Sequence, residues 1–218
     1  MKLLLTSGGI TNDSIAKALW SLIGKKPEET SLVFVPTASN VEIGNKDWLI
    51  DDLINLKKQN FKQIDIADIS AVPEKIWKQK FEAADVMFFE GGDEYHLIKW
   101  INESGLVGLL PELLKTRVYV GLSAGSMVAS KDLAKQVYDL VYEDDHGPDE
   151  SVSGLGFVNF YFMPHLNSQW FPKLREENIR KAVSEIKDKV YALDDQSAIK
   201  IDGENFEIIS EGEWLEFN

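Results

Sequence analysis

The sequence predicts an α/β protein built on a mostly parallel central sheet. Short runs rich in Val, Ile, Leu and Phe alternate with longer segments of helical period, the pattern of parallel strands joined by crossover helices. Runs such as "LVFV" and "VMFF" are apolar at every position, as strands covered on both faces are. At 218 residues, 44% hydrophobic and 27% charged, the chain has the size and composition of one globular domain spanning 1–218.

Each element follows in order. The strand runs are "KLLLTSG" (2–8), "SLVFVPTAS" (31–39), "FKQIDIADIS" (61–70), "DVMFFEGG" (85–92) and "RVYVGLS" (117–123). Between the first two lies "NDSIAKALWSLIG", with Asn12 or Asp13 as helix cap and Gly24 as its stop. A second helix is expected around "KDWLIDDLINLKKQN", and a third in "VPEKIWKQKFEAA", opened by Pro73. Gly105, Gly108 and Pro111 interrupt the fourth connection, so two helices are expected there. Four crossovers imply five parallel strands. An acidic loop then runs through "EDDHGPDESVS" (143–153), followed by "GFVNFYFMPHL" and the helical "PKLREENIRKAVSEIKDK". The last segment alternates and carries an "IDGEN" turn, which predicts strands with at least one hairpin.

Composition excludes several functions. With 23 Lys and Arg against 36 Asp and Glu, the net charge of -13 repels polyanions, and no basic patch offsets it, so nucleic acid is not an expected partner. Zero cysteines remove disulfides, thiolate metal sites and a cysteine nucleophile together. The apolar start before Thr6 is too short for a signal peptide, and no run reaches the ~18 residues of a membrane span. The expectation is a soluble, cytoplasmic protein, monomeric or homodimeric, with no membrane contact.

One stretch carries chemistry. Gly121-Leu122-Ser123-Ala124-Gly125 matches G-x-S-x-G, which by chance recurs roughly 0.07 times in a chain this long. A strand before it and a helix after it are what the motif demands. Ser123 is either a nucleophile raised on a strained corner or a turn serine capping the helix. A serine hydroxyl needs a base to take its proton. Of three histidines, His96 lies in the helical "EYHLIKW", His146 in the acidic loop, and His165 at the end of an apolar run, where it can meet Ser123. An acid must then orient the imidazole, and Asp194 and Asp195 follow the short strand "VYAL". Neighbours on extended chain face opposite sides, so at most one of the two is to point at His165.

In their order, "FVPTAS", "FFEGGDEYHLIK", "VGLSAGSMVA", "FMPH" and "ALDDQSA" resemble the dipeptidase E (aspartyl dipeptidase) and cyanophycinase family of serine peptidases. The resemblance covers most of the chain. It implies a flavodoxin-like three-layer sandwich related to class I glutamine amidotransferases, and a serine peptidase acting on small peptides without metal or other cofactor. It implies Ser123 as nucleophile, His165 as base and Asp195 as acid, where the family more often has glutamate. Aspartate is shorter by roughly 1.5 Å, so the loop must move inward or the contact with His165 be long or water-bridged, with Asp194 as the fallback. The resemblance also implies Gly92 and Ala124 as oxyanion donors, and Asp93 and Arg175 as substrate-binding residues. Asp93 stands where the family has asparagine, adding charge near the oxyanion unless it turns away to cap its helix. A catalytically weak member that binds a peptide or metabolite, and an esterase or amidase of other specificity, are the alternatives.

Overall fold

The computed structural model describes residues 1–135, 137, 139 and 152–218. Strands β1 (Lys2–Thr6), β2 (Ser31–Val35), β3 (Gln63–Ile66), β4 (Val86–Phe89) and β5 (Val118–Leu122) form the expected parallel set, in the order β1-β5-β4-β2-β3. Two short strands, β6 (Asp132–Leu133) and β7 (Val152–Ser153), pair separately. Strands β8 (Tyr161–Met163), β9 (Val190–Leu193), β10 (Ser197–Asp202), β11 (Asn205–Ser210) and β12 (Trp214–Phe217) follow. The "IDGEN" turn joins β10 to β11 with Gly203 at φ 63°, and this antiparallel hairpin extends the sheet beyond β1 to seven strands.

Helices cover both faces, which is why the strands lack alternation. On one side Leu32, Phe34, Phe88 and Val120 pack with Ile15 and Leu19 of α1 (Asp13–Ile23) and, beyond the short α2 (Thr37–Asn40), Leu56 of α3 (Asp47–Lys58). On the other, Val33, Met87, Phe89 and Tyr119 pack with Trp77 and Phe81 of α4 (Glu74–Ala83), Leu97 and Ile101 of α5 (Glu94–Glu103) and Leu110 of α6 (Leu106–Leu113). Asn12 caps α1 by accepting from Ile15 N, and Gly24 closes it in the left-handed region. The break between α5 and α6 falls at Gly105, φ 82°.

Two features depart from the sequence-based expectation. Of the segment read as helical, only Glu176–Ala182 forms a helix: Arg175 before it is extended, at φ -121° and ψ 147°, and Leu174, Ile179 and Val183 are all buried without a longer helix. The runs ending at His165 and Asp195 do not join the central sheet: β8 and β9 pair in parallel in a second sheet, with β12 antiparallel to β9. His146 and most of the acidic loop lie outside the described residues.

Candidate active site

Ser123 ends β5 and opens the short helix α7 (Ala124–Met127) with φ 47° and ψ -108°, a conformation that costs a non-glycine residue about 1–3 kcal/mol. The corner is held from several sides. Ser123 N donates to Thr6 O at 3.0 Å, Ser126 Oγ donates to the same carbonyl at 2.8 Å, and Thr6 Oγ1 donates to Gly121 O at 2.8 Å. Both flanking glycines are sterically required. A Cβ on Gly121 would sit 2.5 Å from the Gly125 carbonyl, and one on Gly125 would sit 2.1 Å from Phe89 O.

The second sheet delivers the other two groups. Parallel pairing sets Met163 opposite Ala192, so His165 and Asp195, each two residues beyond its strand, emerge side by side. His165 Nε2 lies 2.9 Å from Ser123 Oγ, and His165 Nδ1 lies 2.6 Å from Asp195 Oδ1. The shorter acid therefore makes a direct contact. Its approach depends on Gly8, where a Cβ would lie 2.9 Å from Asp195 Cβ, and on Thr11 Oγ1, which donates to Asp195 O at 2.7 Å. Asp194 points elsewhere. Its Oδ1 accepts from Gln196 N and Ser197 Oγ and its Oδ2 from Glu213 N, which spends it on the β9–β10 turn.

Ser7, which no motif marks out, bridges the pair: its Oγ donates to Asp195 Oδ1 at 3.0 Å and accepts from His165 N at 2.7 Å. Phe171 covers the imidazole face, with ring centroids 4.3 Å apart and planes inclined by 10°. Burial pushes the Asp195 carboxyl up, but hydrogen bonds from His165, Ser7 and Ser168, with the charge of His165, outweigh it and hold Asp195 below the ordinary carboxylate range. Asp195 thus stays an acceptor.

Gly91 and Gly92 lie beyond β4, beside the corner: a Cβ on Gly91 would be 3.3 Å from Ser123 Cβ. Gly92 has φ 123° and rests against Ala38 O, where a Cβ would be 2.4 Å away. Asp93 turns to its own helix, its Oδ1 accepting from His96 N at 2.8 Å as the cap of α5. Ala124 N opens α7, in the turn whose amides have no intrahelical acceptor. His96 lies on α5, its ring 6.3 Å from that of Trp100. Arg175 donates to three backbone carbonyls, those of Ser168, Phe171 and Leu174.

Next to the site sits an acid pair that motif and spacing do not reveal. Glu90, fully buried, directly precedes Gly91, and Asp52 of α3 reaches it. Burial and the charge of Asp52 hold Glu90 well above the ordinary range. Burial, with the charges of Asp51 and Asp195, raises Asp52 to about 7, although the neighbouring Glu90 carboxyl opposes the rise. The signal in the sequence is Glu90 itself, a carboxylate ending a wholly apolar strand. Among the described residues no group of three or more His, Asp or Glu side chains is arranged to hold a metal ion.

Known proteins share this fold. A crystal structure of a protein described as a candidate peptidase E from Listeria monocytogenes EGD-e superposes with a TM-score of 0.78 at 22% identity, covering 97% of this chain and 98% of that one. A peptidase from an acI-B1 Actinobacterium superposes at 0.70, with 18% identity over 98% and 88% of the two chains. An uncharacterized peptidase of Listeria monocytogenes is 22% identical over 186 residues, 79% of this chain and 82% of its own. Residues 3–209 match the sequence profile of peptidase family S51, nearly the whole chain, and the protein belongs to that family.

Proposed function

We propose that the protein is a serine peptidase that cleaves short peptides near their amino terminus through an acyl-enzyme on Ser123. Ser123 Oγ attacks the scissile carbonyl carbon while His165 Nε2 takes its proton, and Asp195 holds the imidazole in the tautomer that accepts at Nε2. The amides of Gly92 and Ala124 receive the oxyanion. His165 returns the proton to the departing amine, and water, activated by the same base, releases the acyl group.

The single observation that carries this reading is the unbroken chain of contacts, 2.9 Å from Ser123 Oγ to His165 and 2.6 Å from His165 to Asp195. Two features of the sequence favour a weakly catalytic binding protein: the extra charge of Asp93 and the short acid. Asp93 faces its helix and Asp195 contacts His165 directly, so in the folded chain neither speaks for that alternative. A fluorophosphonate probe tests the proposal: wild type is labelled and Ser123→Ala is not. Folded wild type that resists labelling defeats it. A screen of dipeptides against simple esters then separates peptidase from esterase.

A further inference from the structure

The turn that begins at the base closes on itself around one cation. Arg175 Nη1 donates to Phe171 O at 3.1 Å and Leu174 O at 3.0 Å, and Nη2 donates to Ser168 O at 3.1 Å. The same turn is stitched by Ser168 N to His165 O at 3.0 Å and Asn167 N to Leu174 O at 2.9 Å. What it presents to the site is the ring of Phe171, stacked flat on His165 at 4.3 Å. It also presents Ser168, whose side chain hydrogen-bonds to Asp195.

A guanidinium forks rigidly, so a set of three carbonyls fixes its plane as well as its position. Turning it toward a substrate carboxylate would take from Ser168 O its donor and leave Phe171 O and Leu174 O with their backbone donors alone, Leu174 N and Asn167 N, a loss that a protein interior penalises. Asp195 holds the imidazole at one edge only, along Nδ1. Rotation about that contact is resisted by what lies on the ring face, and that is Phe171.

We propose that Arg175 and Phe171 form one positioning device: Arg175 gathers the turn, the turn seats Phe171 on the imidazole, and the pair keeps Nε2 aimed at Ser123. On this assignment Arg175 does not read the charge of the substrate's first residue, and the site gives an amino-terminal aspartate no advantage from it. The proposal rests on the peptidase reading above.

The test compares wild type, Arg175→Met, Arg175→Lys, Phe171→Leu and Phe171→Tyr on dipeptides beginning with Asp, Ala and Lys. Fluorophosphonate labelling rates supply a readout independent of substrate charge. Arg175→Met and Phe171→Leu are each expected to lower kcat and the labelling rate about 10–100-fold, with KM changed less than about 3-fold, equally for all three dipeptides. Phe171→Tyr, which keeps the ring, restores both to within about 3-fold. A variant that combines Arg175→Met with Phe171→Leu is no worse than either single one, because both act through the same imidazole. A rise in KM confined to the Asp dipeptide in Arg175→Met or Arg175→Lys overturns the proposal, as do variants labelled at the wild-type rate. If Arg175→Met does not fold, Arg175→Lys and the Phe171 pair decide between the same outcomes. Failure of wild type to be labelled defeats the peptidase reading instead, so the two failures are distinguishable.

Discussion

Replacing Gly8 by Ala removes no functional group, yet it should disable the base. The new Cβ would lie 2.9 Å from Asp195 Cβ, 3.0 Å from Asp195 O and 3.2 Å from Asp195 Cα, where ordinary contact begins at 3.4 Å. Two of those three atoms are backbone, so no rotamer change relieves the overlap. Asp195 is held in place by Thr11 Oγ1 on its carbonyl and Ser7 Oγ on its carboxylate. The strand end must therefore shift by about half an ångström, and the 2.6 Å contact with His165 lengthens with it. A hydrogen bond to a charged group contributes about 1.5–3 kcal/mol, which corresponds to a loss in kcat of about 10–150-fold. Overpacking costs a further 1–3 kcal/mol of stability, roughly. Gly24→Ala is the control: its φ of 69° makes alanine strained there, but nothing lies within 4 Å, so about 1 kcal/mol of stability should go with kcat unchanged. The assays are urea denaturation, dipeptide turnover and the fluorophosphonate labelling rate. Gly8→Ala with turnover and labelling within about twofold of wild type, and an unchanged midpoint, would refute the reasoning.

Two more tests separate neighbouring groups. Asp195→Asn keeps the shape but reverses what His165 Nδ1 can do, and should reduce kcat by a factor on the order of ten thousand, whereas Asp194→Asn, which loosens the β9–β10 turn, should lower stability by about 1–3 kcal/mol and leave turnover within a few-fold. Equal kinetic losses in the two variants would contradict the geometry. For Asp52, burial raises the folded carboxyl from 3.8 to about 7, so between those values the folded chain holds a proton that the unfolded chain has lost, and stability falls as pH climbs. The rise caps the loss at roughly 4 kcal/mol, less because Asp52 is partly exposed and its titration is tied to that of Glu90. Asp52→Asn should match wild type below pH ~4 and exceed it increasingly up to pH ~7, read by urea titrations across that range; a constant difference would exclude the shift as its source.

The strands and most helices are legible in the sequence because their signals are local. An apolar run of four or five residues, an Asn at one end of a helical period and a Gly at the other each state their conformation within a single turn of chain. The helix after His165 is shorter than its sequence suggests: Glu176, Glu177, Arg180 and Lys181 have good helical propensity, but Arg175 before them is extended, its guanidinium held on carbonyls of the preceding turn. The second sheet escapes the sequence for a different reason. A run such as "YFM" says that it is a strand, and nothing in it says which strand it pairs with; that choice is made by partners 29 residues away.

The same division runs through the site. Ser123 is readable because the glycines that flank it stand within two positions of it, although the Phe89 carbonyl that makes Gly125 necessary and the Thr6 carbonyl that anchors the corner lie far off in the chain. His165 and Asp195 are reachable through a weaker rule, that polar groups following apolar runs collect at strand ends. Their supports follow no such rule. Ser7 and Gly8 meet Asp195 across nearly the whole chain, and neither is an unusual residue after a strand. Arg175 shows what residue type leaves open for a cation. An arginine near a base invites a substrate carboxylate as its partner, but its three acceptors here are backbone carbonyls, which every residue carries and no sequence distinguishes. Only the path of the turn determines whether that guanidinium faces solvent, substrate or its own chain, and that path is set by His165 at φ 63° and Asn167 at φ 59°, left-handed positions within two residues of each other.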